Sequence, residues 1–392
     1  MPPLLVKDLS ALWTGDRVLR DVSVHMAGGQ VVEVGSVDVP SGAVVIDGSG
    51  RIGVPGLVDA HTHLVHAGTR LGDFARRLSG ASYTEILEGG GGIHTTVAAT
   101  RAASEASLAG LARARLRAML ERGVTTVEIK SGYGLDVATE VKMLRAARAA
   151  AWPIDVSTTF LGAHAVPPGR DRTEYVAEVC GPMLEACAPL CEAIDVYCDR
   201  GAFTLDEAAS ILGAGKARGL ALRVHAEQVA HTGVAALAAR MGALSCDHLE
   251  QLDDEGVAAM AEHGTIAMLL PGAMLYLRDA PPPVAKLRAA GVPMAVATDF
   301  NPGSSPVADL WTCATLSCLT MGLSPEEALA GITVHAARAL GRPGKGWIGP
   351  GSAADLAIFA PPPGEIADPR VLVQHMGGHR AEMVFIAGRR AC

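Results

Sequence analysis

The stretch Leu57-Val-Asp-Ala-His-Thr-His63 runs a short apolar string straight into two histidines. Seven more apolar strings follow, at 125–129, 154–160, 193–197, 221–224, 243–246, 265–270 and 293–298. Between them lie Ala-, Leu-, Arg- and Glu-rich stretches with helical spacing. Segment 104–122 places Leu108, Leu111, Leu116, Met119 and Leu120 near one face, with Arg113, Arg115 and Arg117 largely elsewhere. Ser104 fits an N-cap and Gly123 a C-cap. Thr204 with Glu207 three residues on reads as a capping box. Eight strands alternating with helices over about 290 residues predict an α/β fold, a (β/α)8 TIM-like barrel. A doubly wound open sheet is the runner-up.

The ends of the strings carry the chemistry. The first leads into His61-Thr62-His63, the second into Lys130, the third into His164 and the fifth into His225. The sixth leads into Asp247-His248 and the eighth into Asp299. Parallel barrel strands all open their C-terminal ends on one face, so these side chains are expected to converge. His61 and His63, two apart on extended chain, point the same way and suit one cation. His225 and Asp299 complete a mixed nitrogen and oxygen set for zinc or a similar divalent metal, with a position left for water. Such a water titrates near neutrality, and Asp299 can take its proton. His248, left free, can polarise a carbonyl. A lone histidine at a strand end is ordinarily a hydrogen-bonded structural residue; six strand ends bearing ionisable groups are a different matter.

The flanks differ from the middle. Strings at 18–19, 22–24, 31–34 and 44–46 read as a small antiparallel β unit, and 354–359, 371–373 and 383–386 repeat the style at the other end. A small β-sandwich domain built from both termini follows, with expected boundaries of 1–55, 56–345 and 346–392. The 392 residues are 49% hydrophobic, which excludes a disordered chain. With 33 Lys+Arg against 41 Asp+Glu and a net charge of −8, nucleic acid is not an expected partner. No apolar stretch nears the ~20 residues that span a bilayer. Residues 1–10 are too short and broken for a signal peptide. None of the eight cysteines forms Cys-x-x-Cys, and a reduced, cytoplasmic protein is the simplest reading. Ala- and Leu-rich helix faces leave room for a homodimer.

Val54-Pro-Gly-Leu-Val-Asp-Ala-His-Thr-His63 resembles the first-strand signature of the amidohydrolase superfamily, and Gly351-Ser-Ala-Ala-Asp-Leu-Ala-Ile358 resembles its return to the β domain. Further segments are similar to the imidazolonepropionase family. They are Val127-Glu-Ile-Lys-Ser-Gly-Tyr-Gly-Leu135, His225-Ala-Glu-Gln228, Asp247-His-Leu-Glu250 and Thr298-Asp-Phe-Asn-Pro-Gly-Ser-Ser-Pro306. The glycine run 89–92 with Thr100-Arg-Ala-Ala-Ser-Glu105 also matches.

The resemblance implies one divalent metal, zinc or iron, on His61, His63, His225 and Asp299. It implies substrate contacts from Arg70, Tyr133, His164, Gln228, Asn301, Gly303 and Ser304. The implied substrate is the anion 4-imidazolone-5-propanoate, opened by hydroxide on the metal with Asp299 as base to give N-formimidoyl-L-glutamate. Arg70 then suits the carboxylate, and Gln228 and Asn301 suit a ring with both donors and acceptors. Glu227 and Gln228, adjacent on a strand, would face opposite ways. The family usually has Cys where Phe300 stands, which bears on packing beneath the metal. Lys130 raises a carboxylated-lysine, two-metal site, which the resemblance argues against. The glycine run lacks the Gly-Lys-Ser/Thr of a phosphate loop and reads as a flap over the mouth. The alternatives are another cyclic amidohydrolase or nucleobase deaminase on the same scaffold, or a non-catalytic metal-binding barrel.

Overall fold

A computed structural model of the chain describes residues 2–80, 85 and 91–392. Its strands form two sheets among the described residues.

The first sheet draws on both ends of the chain. It contains β1 (Leu4–Trp13), β2 (Val18–Ala27), β3 (Gln30–Gly35), β4 (Val44–Asp47) and β5 (Ile52–Pro55). β1 pairs antiparallel with β2, each ten residues long. Its other edge is shared: Leu4–Lys7 pairs with β4 and Ala11–Leu12 with β5, both parallel. The expected antiparallel unit is thus a mixed sheet. A register shift between Val6 and Leu9, with Asp8 at φ 58°, marks a bulge that re-aims the strand between its two partners.

The barrel strands follow: β6 (Leu57–Asp59), β7 (Val124–Lys130), β8 (Asp155–Ala163), β9 (Ala193–Cys198), β10 (Ala221–Ala226), β11 (Ser245–His248), β12 (Ile266–Leu269) and β13 (Met294–Val296). They pair in chain order, every pair parallel. Seven are buried along almost their whole length, as strands covered on both faces must be. Each coincides with one of the eight apolar strings. A parallel bridge between Thr62 and Phe300, just beyond β6 and β13, links the first and last strands. Three further bonds reinforce that seam: His63 N–H donates to the Phe300 carbonyl at 3.0 Å, and the Asp59 carboxylate accepts from Thr298 N and Oγ1 at 3.0 and 2.6 Å.

The expected helix over 104–122 is Glu105–Leu120, with the Ser104 side chain accepting from Ser107 N–H. Gly123, at φ 92°, follows it and donates to the Leu120 carbonyl. Thr204 and Glu207 form the full capping box of helix Leu205–Lys216. Arg115 departs from the reading. It turns inward and donates to the carbonyls of Leu64 and His66 at 2.6 and 3.0 Å, clamping the chain after the first strand.

The chain returns to the first sheet as β14 (Leu356–Phe359), β15 (Met383–Ile386) and β16 (Arg389–Arg390), with β14 antiparallel to β5. The string 371–373 is not a strand. It lies in helix Pro369–Gln374, which Asp368 caps and Pro369 opens. Both signals were present in the sequence, and they override three apolar residues in a row. Leu4, Val6 and Leu9 of β1 pack with Val24 and Met26 of β2 and with Leu356, Ile358 and Phe385, so this sheet has a core of its own.

Candidate active site

Barrel closure brings six ionisable side chains from five strand ends into contact. His61 and His63 lie on extended chain past β6, and their rings are 5.4 Å apart. His225, near the end of β10, is 4.6 Å from His61 and 5.4 Å from His63, centroid to centroid. His248 ends β11 at 5.4 Å from His225. His164, past β8, stacks on His63 at 5.1 Å with 17° between planes. Asp299 follows β13 at φ 50°, a left-handed turn that swings its carboxylate inward. Its Oδ1 lies 3.5 Å from His61 Nε2 and 3.4 Å from His63 Nε2.

The outer nitrogens of two of these histidines are fixed. His61 Nδ1 donates to Asp247 Oδ2 at 2.6 Å, and His225 Nδ1 meets the Asp195 carboxylate at 3.1 Å. Each ring therefore carries its proton on Nδ1 and shows a bare Nε2 to the interior. His225 Nε2 and His63 Nε2 face each other at 3.4 Å, and His61 Nε2 and Asp299 Oδ1 have no hydrogen-bond partner among the described residues. Ring nitrogens converging at such range, with a carboxylate oxygen beside them, suit a cation. Two overlapping triads, His61/His63/Asp299 and His61/His225/His248, have the compactness a metal needs. The donor set fits a divalent ion. Burial, with Lys130 and neighbouring histidines adding to it, holds His61 well below the usual histidine pKa, and burial does the same at His63. Both are thus in the neutral form that binds metal.

Beneath the histidines lies a layer of buried charge that the sequence reading left unassigned. Lys130 Nζ is 2.8 Å from Asp195, 2.9 Å from Glu128 and 3.7 Å from Asp247. Arg223 stands 3.6 Å from Glu128 and donates to Thr159 Oγ1 at 2.6 Å. Burial alone would lower the Lys130 ammonium's pKa, but Asp195, Glu128 and Asp247 outweigh it and raise it. A lysine so held is not a free amine, which weighs against the carboxylated form. The signal for this layer was visible: Asp195 and Glu128 interrupt otherwise apolar strands, where a carboxylate needs a partner.

The remaining expected site residues fall in two groups. Tyr133 is buried 5.8 Å from His63 and 5.4 Å from His164, and His164 Nδ1 donates to the Gly132 carbonyl at 3.0 Å. Arg70 hydrogen-bonds Asp73 and is largely buried rather than a surface arginine. A Cβ built on Gly303 would lie 3.1 Å from an Arg70 nitrogen, so the guanidinium rests on that glycine. Asn301 is different. Its Oδ1 accepts from Gly303 N–H and Ser304 N–H at 2.8 and 2.7 Å, while its Nδ2 donates to the Asp299 carbonyl at 2.7 Å and to Ser304 Oγ at 3.0 Å. This amide holds the loop that sets Asp299.

Gln228 does not sit on a strand. The chain leaves β10 at Ala226, Glu227 adopts φ 55°, and Gln228 N–H donates to Asp199 at 3.0 Å. The strand alternation expected for this pair therefore does not apply. Glu227 accepts from Thr232 N–H and Ala235 N–H instead. Phe300 fits beneath an arginine, with Arg115 over its ring at 5.9 Å and His66 at 6.0 Å. Of the glycine run, Gly89 and Gly90 lie outside the described residues. Gly92, at φ 76°, donates to Asp73 at 2.9 Å and precedes helix Ile93–Ala102.

Residues 68–391 match the model of the amidohydrolase family. The chain is 53% identical to an imidazolonepropionase of Acidiphilium cryptum strain JF-5 over 324 residues, 81% of each chain. The fold is similar to a triazine hydrolase from Arthrobacter aurescens at TM-score 0.81 and 20% identity, covering all of this chain and 94% of that one. It is also similar to an adenosine deaminase from Xanthomonas campestris with bound zinc, at TM-score 0.75 and 18% identity, covering 99% and 92%.

Proposed function

The chain belongs to the imidazolonepropionase family of amidohydrolases, and from that premise we propose that it hydrolyses the ring C–N bond of 4-imidazolone-5-propanoate to release N-formimidoyl-L-glutamate. The observation that carries this reading is the convergence of the ring nitrogens of His61, His63 and His225 beside the unpartnered Asp299 oxygen. One divalent ion, zinc or iron, bound by these four residues would act as a Lewis acid on the ring carbonyl and make water nucleophilic near neutral pH.

The chain's own groups supply the rest. Burial raises the Asp299 carboxyl pKa above the ordinary aspartate value. Asp299 takes a proton from the attacking water as the new C–O bond forms. The ring C–N bond then breaks, and the same proton passes to the leaving nitrogen. His248 faces the ring carbonyl and steadies its oxygen. Arg70 binds the propanoate tail, with Gly303 leaving room for the guanidinium and Ser304 at the same loop. Tyr133 and His164 border the ring on the side of His63, and Gln228 meets its polar edge.

Eight unpaired cysteines are in keeping with a reducing cytoplasm. No helix among the described residues is long and apolar enough to cross a membrane.

The test is metal analysis of the purified protein with an assay on freshly generated imidazolone propionate, alongside guanine, cytosine and hydantoins. Turnover of the imidazolone with about one equivalent of zinc or iron is expected. Turnover of a nucleobase alone would overturn the reading.

A further inference from the structure

The chain leaves β9 at Cys198 and enters Asp199, a buried residue that the reaction above does not use. Its carboxylate is turned onto the loop that carries Gln228. Asp199 Oδ2 accepts from Gln228 N–H and Val229 N–H at 3.0 and 2.8 Å. Asp199 Oδ1 accepts from Ala230 N–H at 3.0 Å and from Arg200 N–H at 2.6 Å. The Arg200 guanidinium donates in turn to the Val229 carbonyl at 3.1 Å. Two adjacent residues thus grip both the donors and an acceptor of the facing backbone.

Packing leaves this loop open on one side. Val229 is half exposed, and an open recess of about 440 Å³ lies between Ala230, His231 and Thr232 of the loop and Arg200, Gly201 and Ala202 after β9. Glu227 enters the loop at φ 55°, a left-handed conformation that a residue bearing a Cβ holds only where its surroundings impose it. The two ends are secured separately. Gln251 N–H donates to the Glu227 carbonyl at 2.6 Å, and the Glu227 carboxylate accepts from Thr232 N–H and Ala235 N–H at 2.6 and 3.2 Å. Between those ends, three consecutive residues bond to Asp199.

We propose that Asp199 is a positioning residue for the substrate site: by taking the N–H groups of residues 228–230 it fixes where Gln228 stands. Hydrogen bonds to a carboxylate are roughly twice as strong as neutral ones, so one side chain can hold a loop that packing does not. A displacement of about 1 Å in a group that orients the substrate can cost about 100-fold in rate. The inference rests on the reading of Gln228 as the group that meets the polar edge of the substrate ring.

The experiment is a double-mutant cycle on the metal-loaded enzyme with imidazolone propionate. Gln228→Ala alone should lower kcat/KM about tenfold, as for the loss of a hydrogen bond to the substrate. Asp199→Ala alone should lower it by about as much, with the same division between kcat and KM. The double variant should lie within about threefold of Q228A, whereas independent losses would multiply to about 100-fold below wild type. Asp199→Asn keeps an oxygen for the Gln228 and Val229 N–H groups and should recover part of the loss; if D199A does not fold, D199N carries the cycle with the same expectation. Metal content should stay at the wild-type level. Losses that multiply, or metal lost from the Asp199 variant, would overturn the proposal. Hydrogen exchange of the segment 227–233, read by mass spectrometry without substrate, should quicken about tenfold or more in the Asp199 variant. Unchanged exchange would refute the hold on the loop, whereas faster exchange alongside a wild type inactive on imidazolone propionate would refute only the substrate.

Discussion

Asp247 accepts a 2.6 Å hydrogen bond from His61 Nδ1, and in doing so leaves the other nitrogen of that ring bare where it faces Asp299. Asp195 treats His225 in the same way, and Lys130 lies between the two carboxylates. The nitrogens proposed to bind the metal are thus set from below.

Replacing Asp247 by Asn removes the acceptor that fixes this tautomer. An amide can donate to Nδ1 and force the proton onto the nitrogen that should bind metal. Zinc affinity, measured by competition with a chelator, is expected to fall about 10–100-fold while the fold persists.

Lys130→Met should be costlier to the fold. It leaves Glu128, Asp195 and Asp247 buried without their common cation. Urea denaturation of the metal-free protein should show a loss of about 3–5 kcal/mol, the cost of breaking a buried ion pair from one side. A loss below about 1 kcal/mol would mean the carboxylates find other partners.

Arg70→Lys tests recognition of the substrate tail. Lysine keeps the charge but loses the planar fork that matches a carboxylate. KM for imidazolone propionate should rise roughly tenfold with kcat little changed, as for loss of one charged hydrogen bond. An equal fall in kcat instead would place Arg70 in the chemical step.

Asp299→Asn keeps an oxygen ligand but removes the proton acceptor. Turnover should be abolished while part of the metal content survives, as read by metal analysis beside the assay. Near-normal rates would refute Asp299 as the base.

A pH effect is expected far from the site. Hydrogen bonds from the Arg370 side chain and backbone, joined by the Arg20 charge, hold the Asp368 carboxyl down at about 2. An acid depressed in the folded state stabilises above its unfolded pKa, near 4, and loses that contribution as pH falls toward 2. Asp368→Asn keeps a capping side chain but not the charge. It should be less stable than wild type by about 1 kcal/mol at pH 6, after allowance for solvent screening, and the gap should close between about pH 4 and 2.

The barrel was legible because strands covered on both faces are continuous apolar strings, and six of the eight led into an ionisable side chain. The convergence of the histidines and Asp299 was readable for the same reason. β1 was not, because Lys7-Asp8 interrupts it at the bulge, where one strand changes partners. The helix at Pro369–Gln374 was obscured by Val371, Leu372 and Val373, although Asp368-Pro369 announced it. The hold of Asn301 on its own loop, through Asp299, Gly303 and Ser304, was not legible, because an amide suits that role and a substrate contact equally. Asp195 and Glu128 showed locally as charges inside buried strands, but that Lys130 and Arg223 partner them across strands is recorded in no local pattern.

The seam between Thr62 and Phe300 has a consequence for how the molecule comes to exist. Asp59 and Thr298, which bond across it, stand 239 residues apart. Joining the first and last strands closes a loop of that length, and contacts of such separation form slowly. Because His61 and His63 sit on one side of the seam and Asp299 on the other, the proposed ligand set comes together only in the closed ring. Metal uptake during refolding would then time the final closure, and a bound ion would act as a clasp that raises the cost of reopening.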